Sequence, residues 1–370
     1  MTAVSRVPRG RIVRLDPDSP EIDIPEGELA YVVARAHGMP LFRRIVEGPV
    51  KLSGKDVRGT YRVPDEPALP ASQVSIVVAT RDRPEELEAC LTALRDHAAG
   101  AGQVIVCDSA SSDAWAVGEV AGKFGATLVR AERAGLSLAR NTGAERATGE
   151  VIAFLDDDCM IEPAWLSGIR GGFSDDRVAA VTGSYIPAEL LHEAQLLFLR
   201  YSQLERRGFG EEARFTRDKR ESMHWPLDAW RMGSGGNMAM RADVFRKLGG
   251  FRLDLGLGTE AQGGEDLFLL WSVVRSGGDV VYRPDAMVSH LHHRDLASLH
   301  RVMSGYGVGH TAYLAAARGA GASPVATSLY AASVLYDRAK RAVGALVRGD
   351  AERLELARRE LRGLLGWERA

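Results

Sequence analysis

Val151-Ile152-Ala153-Phe154-Leu155-Asp156-Asp157-Asp158-Cys159 is the stretch that decides the fold. A short apolar run bounded by turn signals reads as a strand buried on both faces, the habit of strands in parallel sheets. The three aspartates then fall where that strand leaves its sheet. Burying adjacent negative charges without a partner costs on the order of several kcal/mol, so they either face water or hold a cation. Asp156 and Asp158, two apart on an extended chain, point to one side and suit a shared hard divalent cation such as Mg²⁺ or Mn²⁺. A solvated acidic turn is the plainer alternative. The cation is favoured because ligands of open α/β sheets gather outside the carboxyl ends of the strands.

The same grammar extends on both sides. Val74-Ser75-Ile76-Val77-Val78-Ala79 and Val104-Ile105-Val106-Cys107 are further β-rich runs, and between them Pro84 opens a helix with Leu87, Leu91 and Leu94 at helical spacing. Strands are predicted again near 126–129, 178–181, 279–282 and 286–290, with helices near 113–124, after Gly135, after Pro163, and over 242–248 and 267–275. This alternation predicts an α/β fold with a Rossmann-like, mostly parallel sheet and flanking helices. It occupies 71–295, between a partly β N-terminal extension (1–70) that ends in the turn-rich linker 63–67 and a helical C-terminal region (296–370). That last region reads as three helices, broken near Gly319 to Pro324 and at Gly349. Residues 186–230, charged, helix-prone and interrupted by Gly208 and Gly210, read as an insertion. The final helix, Glu352 to Leu365, sets leucines beside arginines. It reads as a packing helix, with an oligomer contact or a membrane-surface contact as the alternatives.

A formal net charge of −2 argues against nucleic acid as a partner, because phosphate contacts need clustered basic surface. Cys90, Cys107 and Cys159 are scattered and lack metal-type spacing, which fits small buried thiols in a reducing compartment. The first residues hold arginines without an apolar core of signal-peptide length. No run reaches about 18 uninterrupted apolar residues, the length a spanning helix needs. The expectation is a cytoplasmic protein without a transmembrane segment, with peripheral contact at the inner membrane face left open.

Thr80-Arg81 follows the first strand and Asp108 the second, so both loops share an edge with the aspartates. Arg81 can meet a phosphate and Asp108 can accept hydrogen bonds from a base or sugar, and together they outline a nucleotide pocket with a metal at its mouth. Each taken singly is equally a turn or cap residue. A metal beside phosphates suggests displacement of a nucleoside diphosphate, which needs a base for the acceptor. Asp266, in Gly263-Gly264-Glu265-Asp266 at a helix start, is the candidate, and a plain interaction with the helix dipole is compatible with that role. His290, His292 and His293 form the dense imidazole cluster, and one of them beside two carboxylates would complete a facial set of metal ligands.

These segments, with Ala139-Arg140-Asn141-Thr142-Gly143, Gly235-Gly236-Asn237 and Gly264-Glu265-Asp266, resemble the family 2 glycosyltransferases with the GT-A fold over Val74 to about Asp295. The resemblance implies a metal-dependent, inverting transfer from a nucleotide-diphosphate sugar, UDP-sugars favoured, to an acceptor hydroxyl. The acceptor is a carbohydrate, a lipid-linked glycan or a small molecule. It implies that Thr80, Arg81 and Asp108 line the nucleotide site with Arg140 and Asn141 close by. Asp156 and Asp158 are then the DxD pair around Mn²⁺ or Mg²⁺, Asp158 the more direct ligand and Asp157 nearer the sugar. Asp266 matches the inverting base, Glu265 supports the acceptor pocket, His290 matches a metal-joining histidine, and Gly235, Gly236 and Asn237 shape the donor and acceptor floor. The second motif departs from the usual pattern, since Cys107-Asp108-Ser109 keeps a single aspartate, and this leaves the nucleotide base open. Two alternatives stand beside this reading. A nucleotidyltransferase would carry a glycine-rich basic loop where Thr80-Arg81-Asp82-Arg83-Pro84 stands. A non-catalytic nucleotide-sugar-binding protein is opposed by the intact Asp156, Asp158 and Asp266.

Overall fold

The computed structural model describes residues 10–36, 39–57, 67, 69–201, 211–219 and 222–366. The linker expected at 63–67 falls outside them except for Pro67, as do Gly208 and Gly210 of the expected insertion.

The N-terminal region folds into β1 (Gly10–Leu15), β2 (Ile22–Ile24), β3 (Leu29–Ala36), β4 (Met39–Glu47) and β5 (Val50–Leu52). β3 and β4 pair antiparallel, β1 lies parallel to β3, and β2 pairs with β5. The main domain follows as β6 (Val74–Thr80), α1 (Pro84–His97), β7 (Gln103–Asp108), α2 (Ala114–Lys123), β8 (Thr127–Arg130), α3 (Leu136–Ala144), β9 (Val151–Asp156) and β10 (Cys159–Ile161). It continues through α4 (Trp165–Gly172), β11 (Val178–Pro187), α5 (Glu193–Tyr201), β12 (Ala213–Phe215), β13 (Asn237–Arg241), α6 (Ala242–Leu248), α7 (Glu265–Arg275) and β14 (Asp279–His290). The chain closes with α8 (Leu296–Gly319), α9 (Pro324–Val347) and α10 (Ala351–Leu365), the three helices expected, broken where glycine and proline interrupt them.

The large sheet runs β10-β14-β11-β13-β9-β6-β7-β8, with β12 added on β14. Its β9-β6-β7-β8 half is wholly parallel, and β13 enters antiparallel between β9 and β11. From β6 the chain winds outward through β7 and β8, then returns to lay β9 on the other flank of β6. That reversal is a topological switch point, where a crevice opens outside the strand ends. Register brings the expected residues to this edge, with Thr80 opposite Asp108 and Ala79 opposite Asp156.

β9 is buried on both faces, as its unbroken apolar run requires. Phe154 packs on Phe245 and Phe251, ring centroids 5.1 and 5.0 Å away, on one side, while Ala153 and Leu155 join the other layer. Truncating Phe154 to alanine would cost about 3–5 kcal/mol and loosen the strand that carries the aspartates.

The N-terminal region packs directly on the sheet. Leu29, Tyr31 and Val33 form one apolar cluster with Ile186, Leu190 and Met287, and Arg14 and Arg35 converge on Glu162 at 2.6 and 3.1 Å. Of residues 186–230, the first two finish β11, α5 packs against α8 and α10, and β12 widens the sheet. At the C-terminus α8 and α10 touch backbone to backbone, since a Cβ on Gly307 would lie 2.2 Å from the Glu360 carbonyl oxygen.

Candidate functional site

Thr80 ends β6 with its hydroxyl buried, donating to Asp157 Oδ2 at 2.7 Å. Arg83, the residue before α1, donates through Nη1 to Asp157 Oδ1 at 2.8 Å and to Asp158 Oδ2 at 3.0 Å. Arg83 escaped the sequence reading, although it stands two residues from Arg81 in the same loop. What separates the two arginines is Asp82, whose φ of 55° turns the chain and whose carboxylate accepts from the Ser112 amide and hydroxyl. Arg81 is left exposed beside Asp82.

Asp157 is therefore held from two sides, yet burial, with the charge of Asp158 next, pushes its carboxyl up to about 7 against the pull of Arg83 and Thr80. Asp158 has the opposite balance. Burial alone would raise it, but His290 and Arg83 outweigh burial and hold it well below the usual carboxylate range.

His290 arrives through strand pairing, since β10 and β14 set Cys159 opposite His290. Its Nε2 lies 3.3 Å from Asp158 Oδ1. Among the described residues, candidate metal-ligand atoms of Asp158, Cys159 and His290 come within 4.8 Å of one another, and Asp156 is outside that group. Burial drives the Cys159 thiol well above its ordinary range, so it stays a neutral, soft donor. His292 packs its ring against Phe198 at 4.5 Å, and burial pushes His293 down. Of the three histidines, His290 is the one that joins the Asp158 group.

A second chain of charges runs across the cleft floor. Arg140 of α3, 2% exposed, donates through Nη2 to Asp156 Oδ1 at 2.7 Å and through Nη1 to Glu265 Oε1 at 2.9 Å. Its guanidinium stands 5.1 Å from the Phe251 ring. Glu265 is raised to about 7 by burial, then by adjacent Asp266, with Arg140 opposing both. Asp266 sits in the first turn of α7, where its Oδ2 accepts from the Gly235 amide at 2.8 Å and its Oδ1 from the Leu267 amide at 2.7 Å. Gly236 is the close approach, because a Cβ there would stand 2.3 Å from Asp156 Oδ2.

The remaining expected residues have framework contacts. Asp108 accepts from the Ser111 amide at 2.8 Å and pairs with Arg130. Asn141 clamps the main chain of Phe251 with donor and acceptor at 2.8 and 2.9 Å. Asn237 is wholly buried, accepting from Trp165 Nε1 at 2.8 Å and donating to the carbonyls of Ser184 and Ala286. Both asparagines thus spend their amides on the scaffold. Tyr306 on α8 was not signalled by any motif. It is 44% exposed, and burial, then Asp266 and Glu360, raise its phenol.

The sequence pattern described as "Glycosyl transferase family 2" matches residues 75–249. The pre-mycofactocin glycosyltransferase of Mycobacterium tuberculosis (strain CDC 1551 / Oshkosh) is 27% identical over 240 residues, 64% of this chain and 47% of that protein. The glucosyl-dolichyl phosphate glucuronosyltransferase of Haloferax volcanii is 27% identical over 165 residues, 43% of this chain and 48% of that one. The chain thus spans about half the length of the curated relatives it matches. A mannosyltransferase from Pyrobaculum calidifontis, solved in complex with GDP-Man and Mn²⁺, superposes with a TM-score of 0.51 at 18% identity, covering 83% of this chain and 90% of that one. That likeness concerns the fold. Residues 75–249 therefore carry a glycosyl transferase family 2 domain, on a fold like that of the mannosyltransferase.

Proposed function

We propose that the chain transfers a sugar from a nucleoside diphosphate donor to an acceptor hydroxyl with inversion at the anomeric carbon, assisted by Mn²⁺ or Mg²⁺. The observation that carries this is the Asp158–His290 pair at the switch-point edge, with Asp266 held by two backbone amides on the same cleft. A carboxylate beside an imidazole is a donor set that suits Mn²⁺, so Asp158 and His290 would hold it, and the soft sulfur of Cys159 does not suit so hard a cation. The mannosyltransferase solved with GDP-Man and Mn²⁺ supports the same class of donor and metal. The cation, when bound, offsets the charge that grows on the departing diphosphate.

The chain's own groups do the rest. Asp266 accepts the acceptor's hydroxyl proton as its oxygen attacks in line with the leaving diphosphate, in one inverting displacement. The Gly235 amide and the Leu267 amide of α7 fix that carboxylate. Arg140 keeps Asp156 and Glu265 in place, Arg81 and Asp108 serve the nucleotide, and Asp157 braces the metal-binding turn through Thr80 and Arg83. UDP-sugars remain the preferred donors, with GDP-sugars next.

The test is a binding and turnover screen of UDP-, GDP- and dTDP-sugars with and without Mn²⁺. Asp158→Asn should lose Mn²⁺-dependent donor binding. Asp266→Asn should keep donor binding and lose on the order of 10²–10⁴-fold in transfer. Transfer at the wild-type rate by both variants would overturn the assignment.

A further inference from the structure

The outward face of α9 is built the wrong way round for a helix in water. Its exposed positions recur at helical spacing, and they include Val325, Leu329, Tyr336, Val343, Leu346 and Val347, each between 57% and 80% exposed. At 1.5 Å rise per residue the row is roughly 33 Å long. Polar residues are sparse along it, with Ser328 near its start, Lys340 about two-thirds of the way along and Arg348 at its end. Among the described residues of α9, none of the exposed ones is acidic; Asp337 is half-buried and paired with Arg338 and Arg341. The opposite face, with Thr327, Tyr330, Val334 and Ala345, is buried in the body of the protein.

A continuous apolar row of this length on a soluble surface marks an interaction site. The charge says what covers it. Residues 324–366 hold eight Lys and Arg against five Asp and Glu, in a chain whose formal net charge is −2. A second copy meeting this face through two-fold symmetry would present the same row, with no exposed carboxylate to receive Lys340 and Arg348. An anionic surface would receive both. Among the described residues no helix is long and apolar enough to cross a membrane, so α9 suits a position along an interface.

We infer that the outer face of α9 docks this chain on an anionic lipid bilayer, with the Val325–Val347 row in the headgroup and acyl boundary and Lys340 and Arg348 against the lipid phosphates. The inference does not rest on the transferase reading, because it uses residues outside the cleft. It is tested by flotation of the full chain with vesicles of phosphatidylcholine alone and of phosphatidylcholine with phosphatidylglycerol, at low and high salt. Wild type should float with the anionic vesicles and be released by salt. Lys340→Glu/Arg348→Glu should weaken partitioning at least tenfold, taking about fivefold per cation removed. Leu346→Gln/Val347→Gln should weaken it by a similar factor, and both variants should unfold at the wild-type temperature because they change exposed positions. Failure to float with anionic vesicles, equal flotation with neutral ones, or indifference to both variants would overturn the inference. So would a dimer in sedimentation that Leu346→Gln/Val347→Gln abolishes while vesicle binding is absent.

Discussion

Arg140 joins the two walls of the cleft, and its removal has a calculable cost. It is 2% exposed, as is fitting for a guanidinium whose partners are Glu265, 7% exposed, and Asp156, 34% exposed. The Asp156 arm is open enough to water that its share is worth about 0–1 kcal/mol. The Glu265 arm is buried, and breaking such a pair from one side costs roughly 3–5 kcal/mol, because the surviving charge has no solvent. Glu265 already stands at about 7, so it takes up a proton when its partner goes, and this moves the expected cost of Arg140→Met toward ~3 kcal/mol. Glu265→Gln keeps an acceptor for Arg140 and should cost only about 1–2 kcal/mol. The double variant removes both charges, so its cost should fall short of the sum by about 1–3 kcal/mol. Urea unfolding followed by tryptophan fluorescence near neutral pH measures all three, provided each shows a single transition of unchanged slope. Arg140→Met within about 1 kcal/mol of wild type, or a double variant additive to within about 0.5 kcal/mol, would refute the argument.

Further outcomes follow from the same geometry. His310 packs near Tyr313 and Tyr330, and burial, with Arg338 next, lowers it to about 4 from an ordinary 6.5. Between those values the unfolded chain binds a proton that the folded one does not, so wild type loses stability as pH falls from 6.5 to 4, by at most ~3 kcal/mol from this group. His310→Gln should lack that component, and thermal unfolding at both pH values shows it. Arg83→Gln frees Asp158 Oδ2 of a competing cation, so Mn²⁺ binding followed by electron paramagnetic resonance should tighten several-fold without nucleotide, whereas unchanged or weaker binding would count against the arrangement. The fold should survive, because Asp157 at about 7 can become neutral. Gly236→Ala must push Asp156 from Arg140 and should cost about 1–3 kcal/mol of stability, and a crystal structure with the Asp156–Arg140 bond intact would contradict that account.

What the sequence disclosed follows from what burial imposes. β6, β7 and β9 are largely covered on both faces, so their runs are mostly apolar and the polar residues at their ends, Thr80, Asp108 and Asp156, stand out. The acidic triplet's internal division was less legible, because it depends on Arg83, Arg140 and His290, which come from 16 to 132 residues away in the chain and meet the triplet only through sheet order. Asn141 and Asn237 belong to recognisable motifs, yet a motif does not reveal whether an amide faces a ligand or a neighbouring main chain. At the C-terminus the leucines of α10 drew attention, and the structure turns Leu356 into the core. The outward apolar row lies on α9, where its spacing looks like that of any buried stripe. The N-terminal strands were legible as β, but their seat on Glu162 and Ile186 was not, since such contacts join distant segments.

Gly309 of α8 meets Gly263 and Gly264 with nothing between the backbones, a Cβ on Gly264 being 2.5 Å from the Gly309 carbonyl oxygen. Side chains at such a contact would act as springs that absorb a small shift by changing rotamer. Bare backbone cannot, so a displacement of α8 is handed whole to the turn that precedes Asp266. The C-terminal helices are therefore a gauge block for Asp266: their position sets its height above the cleft, and if Asp266 is the base proposed above, a bulkier residue at 309 is read out first as a change in turnover.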